Sequence, residues 1–189
     1  MKYFLGVLGV ILLIIFVIVL ALRGGDDTST PAPDVKALTE YSTEPQSQVT
    51  MTTGGAINAE ENHRIVNVLV TASSRSVSIT EGYNGKVISE ETFPNTTDAF
   101  SAFLAGLEQV GFSKVRSSKL DFTSVCPTGK RYSYVLSSNS EDVVNSWSAT
   151  CERGTYGGQV TNTQNLFQAQ IPNYSDIVND VDFSLEPSS

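Results

Sequence analysis

Along this chain the apolar positions first run without a break and then settle into short periodic patterns. Residues 3–22 read YFLGVLGVILLIIFVIVLAL, with no charge, no proline and 16 of 20 positions Leu, Ile, Val or Phe. At about 1.5 Å rise per residue a helix of that length spans a bilayer core of about 30 Å, and such side chains favour insertion by about 5 to 10 kcal/mol. The pattern predicts a single transmembrane signal-anchor helix over residues 1–23, with residues 3–22 in the lipid bilayer. Lys2 and the amino terminus on one side, against Arg23 followed by Asp26 and Asp27 on the other, orient it N-in and C-out. The run exceeds the roughly 7 to 15 residues of a cleaved signal core, so an uncleaved anchor is expected.

Residues 24–48, GGDDTSTPAPDVKALTEYSTEPQSQ, are rich in Gly, Pro, Ser, Thr and Asp and predict a flexible extracytoplasmic tether. Within it Val35, Leu38 and Tyr41 recur at helical spacing behind Asp34, which admits one short helix over 35–42. The globular domain is expected over 49–184, with a frayed tail at 185–189.

Inside that domain a period of two appears first. QVTMTT is β-prone, and RIVNVLVTAS places Val66, Val68 and Val70 on one face with Ile65 and Leu69 on the other, the signature of a central strand. SVSITEGY and KVISEETF flank Asn84-Gly85, a hairpin turn dipeptide. A bulged three-residue loop would set Val77 opposite Phe93 and Tyr83 opposite Val87; a plain turn would set Ile79 opposite Glu90. The first groups more apolar side chains and is the register expected.

The period then changes to 3.6. Asn95 or Thr96 can cap, Asp98 sits in the first turn, and Ala99, Phe100, Phe103, Leu104, Leu107 and Val110 form one stripe that ends at Gly111. A helix over about 96–110 follows, and its apolar side requires a sheet to cover it. FSKVRSS and LDFTSV read as strand pieces. YSYVLSS and VVNSWSATC read as a second hairpin about the loop from Asn139 to Asp142, GTYGGQVTNT as a glycine-rich loop, and NLFQAQIP as a short helix or an extended segment ended by Pro172. The fold class expected is α+β: the transmembrane helix, then an antiparallel β-sheet packed against one main α-helix.

Charge narrows the partners. Beyond residue 22 there are 11 Lys and Arg against 20 Asp and Glu, a net charge of −9 with no basic stripe, so nucleic acid is not an expected partner. The only two cysteines, Cys126 and Cys151, lie on the side assigned to the outside and read as one disulfide.

Candidate chemistry is sparse. His63, the only histidine, follows Asn58 and Glu61 at capping-box spacing, and Glu60 with His63 has the i, i+3 spacing of a metal-binding helix. Glu60, Glu61 and His63 are therefore the candidate metal or polar site, although a metal centre needs three or four ligands and a second such motif is missing. No G-x-S-x-G elbow, phosphate-binding glycine loop or calcium loop occurs, and no catalytic residue or cofactor is assigned. Tyr132, Tyr134, Trp147 and Tyr156 cluster around the second hairpin as a candidate binding surface, with a core made of alternate strand positions as the competing reading. The function expected is a membrane-anchored extracytoplasmic binding or scaffolding module at the cell surface, with a protein or glycan partner. The alternative is an envelope enzyme or metal-binding protein built around His63.

Overall fold

A computed structural model describes residues 29–32, 35–179, 181 and 183. The predicted anchor and the tail at 185–189 lie outside the described residues, among which no helix is long and apolar enough to cross a membrane.

The elements follow in the order β1 (Thr30–Pro31), a 3-10 turn (Leu38–Thr43), β2 (Gln48–Gly54), a second 3-10 turn (Glu60–Asn62), β3 (Arg64–Thr71), β4 (Ser74–Glu81) and β5 (Lys86–Pro94). Then come α1 (Thr97–Gln109), β6 (Lys114–Val115), β7 (Arg131–Ser138), β8 (Glu141–Ala149), α2 (Val160–Gln168) and α3 (Tyr174–Val178). Six strands form one antiparallel sheet in the order β5-β4-β3-β2-β7-β8, and β1 pairs with β6 in a small separate ladder. The α+β class and the antiparallel sheet are as the sequence predicts.

Strand alternation decides which side of the sheet is sealed. Val66, Val68 and Val70 of β3 stand beside Val49, Met51 and Thr53 of β2, and next to these come Leu136 and Tyr134 of β7. All eight side chains are buried, and the core continues through Val77 and Ile79 of β4. Against that face lies α1, contributing Phe100, Phe103, Leu104 and Leu107 to the same cluster. Thr96 caps α1 by accepting a hydrogen bond from the Ala99 amide, 3.2 Å. At the other end the Gly111 amide donates to the Glu108 carbonyl and the Phe112 amide to the Leu107 carbonyl, a Schellman closure that drops Phe112 into the core.

Four expectations are corrected. The stretch read as a tether contains the first core residues: Leu38 and Tyr41 are buried and their 3-10 turn packs on α1. Only one turn of helix was needed to aim both side chains at α1, so low overall hydrophobicity concealed the contact. The first hairpin adopts neither register considered: Val77 faces Glu91 and Ile79 faces Ser89, and after a bulge Thr80 faces Val87. The reason is Gly82, which at φ +73° opens the turn two residues before Asn84 and leaves Tyr83 in the loop. LDFTSV forms no strand, and FSKVRSS contributes only the two-residue β6. Finally, the end of the glycine-rich loop is helical, because α2 begins at Val160 and buries Thr163 and Phe167.

The hairpin β7–β8 forms as expected about Asn139 and Ser140, both with positive φ. Cys126 and Cys151 are joined by a disulfide with their Cα atoms 5.9 Å apart.

Candidate functional site

The three residues of the candidate metal site do not converge. The turn Glu60–Asn62 forms, but its cap is Ala59 and not Asn58, whose side-chain amide instead donates to the Asn62 carbonyl at 3.3 Å. His63 is only 3 % exposed. Its ring stacks on Tyr83 with centroids 4.1 Å apart and planes 13° apart, and its Nδ1 lies 3.2 Å from the Ala56 carbonyl oxygen. The Tyr83 hydroxyl donates to the Asn58 carbonyl at 2.9 Å, which holds the phenol ring over the imidazole as a cover. Glu60 accepts from the Asn84 amide at 2.7 Å. Burial, opposed by the Ala56 carbonyl and aided by the Arg131 and Arg64 cations, holds the imidazole below its ordinary pKa. The arrangement is a structural clamp: it ties the turn before β3 to the β4–β5 loop. Among the described residues no group of three or more His, Cys, Asp or Glu side chains is placed to hold a metal ion.

The four aromatic residues of the second hairpin are split between two sides. Tyr134 and Tyr156 are buried with ring centroids 4.4 Å apart, and each meets Phe112 at 6.3 Å. Burial pushes both hydroxyls up in pKa; Tyr156 is bonded to Thr163, and Tyr134 lies 3.3 Å from the Ser148 hydroxyl. Tyr132, on the same inner face, is half-buried against the core. Only Trp147 points the other way, because it pairs with Ser133. Its ring is half-buried beside Phe122, centroids 5.8 Å apart, and under Gly154, where an added Cβ would clash with the indole. The four therefore do not form one surface. Even-numbered positions of β7 face inward, which puts Tyr134 in the core and Tyr132 at its margin, and Tyr156 joins the core from the segment after β8, where it bridges to Val115.

What the sequence reading missed is the outer face itself. In β2, β3, β4 and β7 the inward positions are mostly buried, whereas the outward ones are mostly half-exposed. Thr50, Thr52, Asn67, Ser76, Ser78 and Ser133 supply hydroxyls and an amide there, and Ile65, Leu69 and Val135 the apolar remainder. Thr52 donates to the Asn67 side-chain oxygen across the β2–β3 pair at 2.8 Å. The one charge at an outward position of these four strands is Arg131, at the end of β7, buried and turned onto the Phe122 ring. The signal was present in the odd and even positions of each strand, but it had no meaning until register placed four strands side by side.

At one end the outer face runs into a cleft of about 520 Å³, bordered by residues 44–48 and by the β3–β4 and β7–β8 turns. Gln48 sits beside Thr71 on one neighbour and Ser137 on the other. Glu44 is the only charged residue in the lining, and its carboxylate is bonded to Lys36 and to Ser138. These contacts hold it below the usual carboxylate pKa, the bond to Lys36 foremost.

The fold and this surface define an α+β domain with one face sealed by helices and one left open. No family model, curated protein or solved structure matches the chain.

Proposed function

We propose that the chain is a membrane-anchored binding module, held at the cell membrane by residues 3–22, whose extracytoplasmic domain recognises a protein or glycan partner. The observation that supports this reading is the outer face of β2, β3, β4 and β7, which carries no charge except the buried Arg131 at its end. In a chain with net charge −8, a face meant only for water would carry its share of Lys and Glu. Depletion of charge is the one feature this face shares with the centre of an interface; its Ser, Thr, Asn and Gln side chains supply hydrogen-bonding groups in place of aromatic anchors.

The test is retention of a partner from envelope extract by the full chain. Wild type and Glu108→Arg, a change on the exposed side of α1, should retain the same defined protein or glycan, whereas Leu69→Arg at the centre of the face should lose it. Equal retention by all three, or none by any, would overturn the proposal.

A further inference from the structure

We infer that the ligand of this face is a neutral glycan, seated with one end in the cleft beside Gln48. This deepens the binding-module reading and rests on it. The cleft and the face are one surface, because Thr71, Gln48 and Ser137 are register neighbours at the end of the same outward rows that carry Thr50, Thr52 and Ser76. A volume of about 520 Å³ falls within the range of small-ligand clefts, about 300 to 1,000 Å³.

The lining chemistry selects among ligand classes. The Gln48 amide and the Gln46 amide N–H groups offer donors, and the Ser137 and Ser140 hydroxyls, which donate to Asp142 and Gln46, can still accept, a mixture that matches sugar hydroxyls. Among the described residues Glu44 is the only charged group in the lining, and its carboxylate is already bonded to Lys36 and Ser138, so an anionic ligand finds no unpaired cation there. Ala72 is the only apolar lining residue, too little for a hydrocarbon ligand. A protein partner would be expected to find Tyr, Trp, Arg or Met anchors; the outward positions of the four strands offer only Arg131, which is buried, and Trp147 of the neighbouring β8 is half-buried against Phe122 and Gly154.

The cleft wall is held in place before any ligand arrives. Ser47 donates to Ser138 at 3.1 Å and Ser138 to Glu44 at 2.7 Å. Gln46 and Ser140 both occupy the left-handed region, φ +57° and +67°, and meet where the Ser140 hydroxyl donates to Gln46 Oε1 at 3.1 Å. That bond uses the acceptor of Gln46 and leaves its amide donors to a ligand. The positive φ at Ser140 is what the two-residue turn between β7 and β8 requires, so the hairpin itself fixes this part of the rim.

The experiment titrates the full chain, purified in a detergent without a sugar headgroup, with neutral trisaccharides of glucose, mannose and N-acetylglucosamine and with an anionic uronic-acid trisaccharide. Calorimetry and saturation-transfer NMR read the binding. At least one neutral sugar should bind with Kd below about 1 mM, and the uronic acid should not. Gln48→Ala and Ser74→Glu, both at solvent-accessible positions, should each weaken binding about tenfold, the loss of one or two hydrogen bonds, with unfolding midpoints unchanged. No neutral sugar bound, preference for the anionic one, or indifference to both substitutions would overturn the inference. If no sugar binds but a defined protein is retained in a Leu69-dependent manner, the glycan fails and the binding module stands; if neither occurs, both fail.

Discussion

His63 shows how one side chain can look catalytic in sequence and act as a joint in the fold. It is the only histidine and it has a glutamate at i−3, yet the structure spends it on a stack with Tyr83 and a contact to the Ala56 carbonyl. Its pKa is held down by burial first, and by Arg131 and Arg64 after that. The unfolded chain therefore binds a proton near the ordinary value of about 6.5, at which the folded protein still excludes it. Stability from this residue is complete above about pH 6.5 and is lost as pH falls from there toward the folded pKa. The unfolding midpoint should decline between pH 7 and pH 5, and His63→Gln should flatten that decline; an identical slope in the variant would show that another group carries it. Asp121, held low by the Thr123 amide and hydroxyl, acts only at more acidic pH.

Among elements, those with strong local signals were legible and those made by distant contacts were not. The stripe from Phe100 to Leu107 and the valines of β3 announced themselves by period, since burial on one side imposes that period. The turn Leu38–Thr43 showed only in part: the spacing of Val35, Leu38 and Tyr41 admitted a short helix, but nothing local could place it against α1. The first hairpin's register failed for a related reason: grouping apolar side chains favours a paired Tyr83, but the stack on His63 takes Tyr83 out of the strand. The second hairpin was read correctly, and it carries a staple. Cys126 precedes β7 and Cys151 follows β8, 25 residues apart in sequence. Closing that loop should stabilise the fold by about 3.5 kcal/mol on the chain-entropy model. Urea unfolding with and without reductant should differ by that order, and a double Cys→Ser variant should match the reduced protein; no difference would place the constraint elsewhere.

At the scale of the whole molecule the sheet and the main helix were legible in the sequence, whereas the open face and its cleft needed register to assemble Gln48, Thr71, Ser74 and Ser137 from three separate segments. The anchor prediction is tested in membranes: the full chain should stay with the pellet through alkaline carbonate extraction, and deletion of residues 3–22 should release it. Release of the intact chain would remove the membrane from the proposed function. The strand order has its own consequence in time. β2 is the first strand of the six, yet it lies between β3 and β7, and its second neighbour arrives only after α1 and the loop beyond it. While β2 to β5 pair as a meander, the far edge of β2 stays bare. The stapled β7–β8 hairpin can form alone and must then dock on that edge, a pairing of long sequence separation and so the slow step of assembly. Until it docks, the row of Val49, Met51 and Thr53 is the part of this chain most open to a wrong partner.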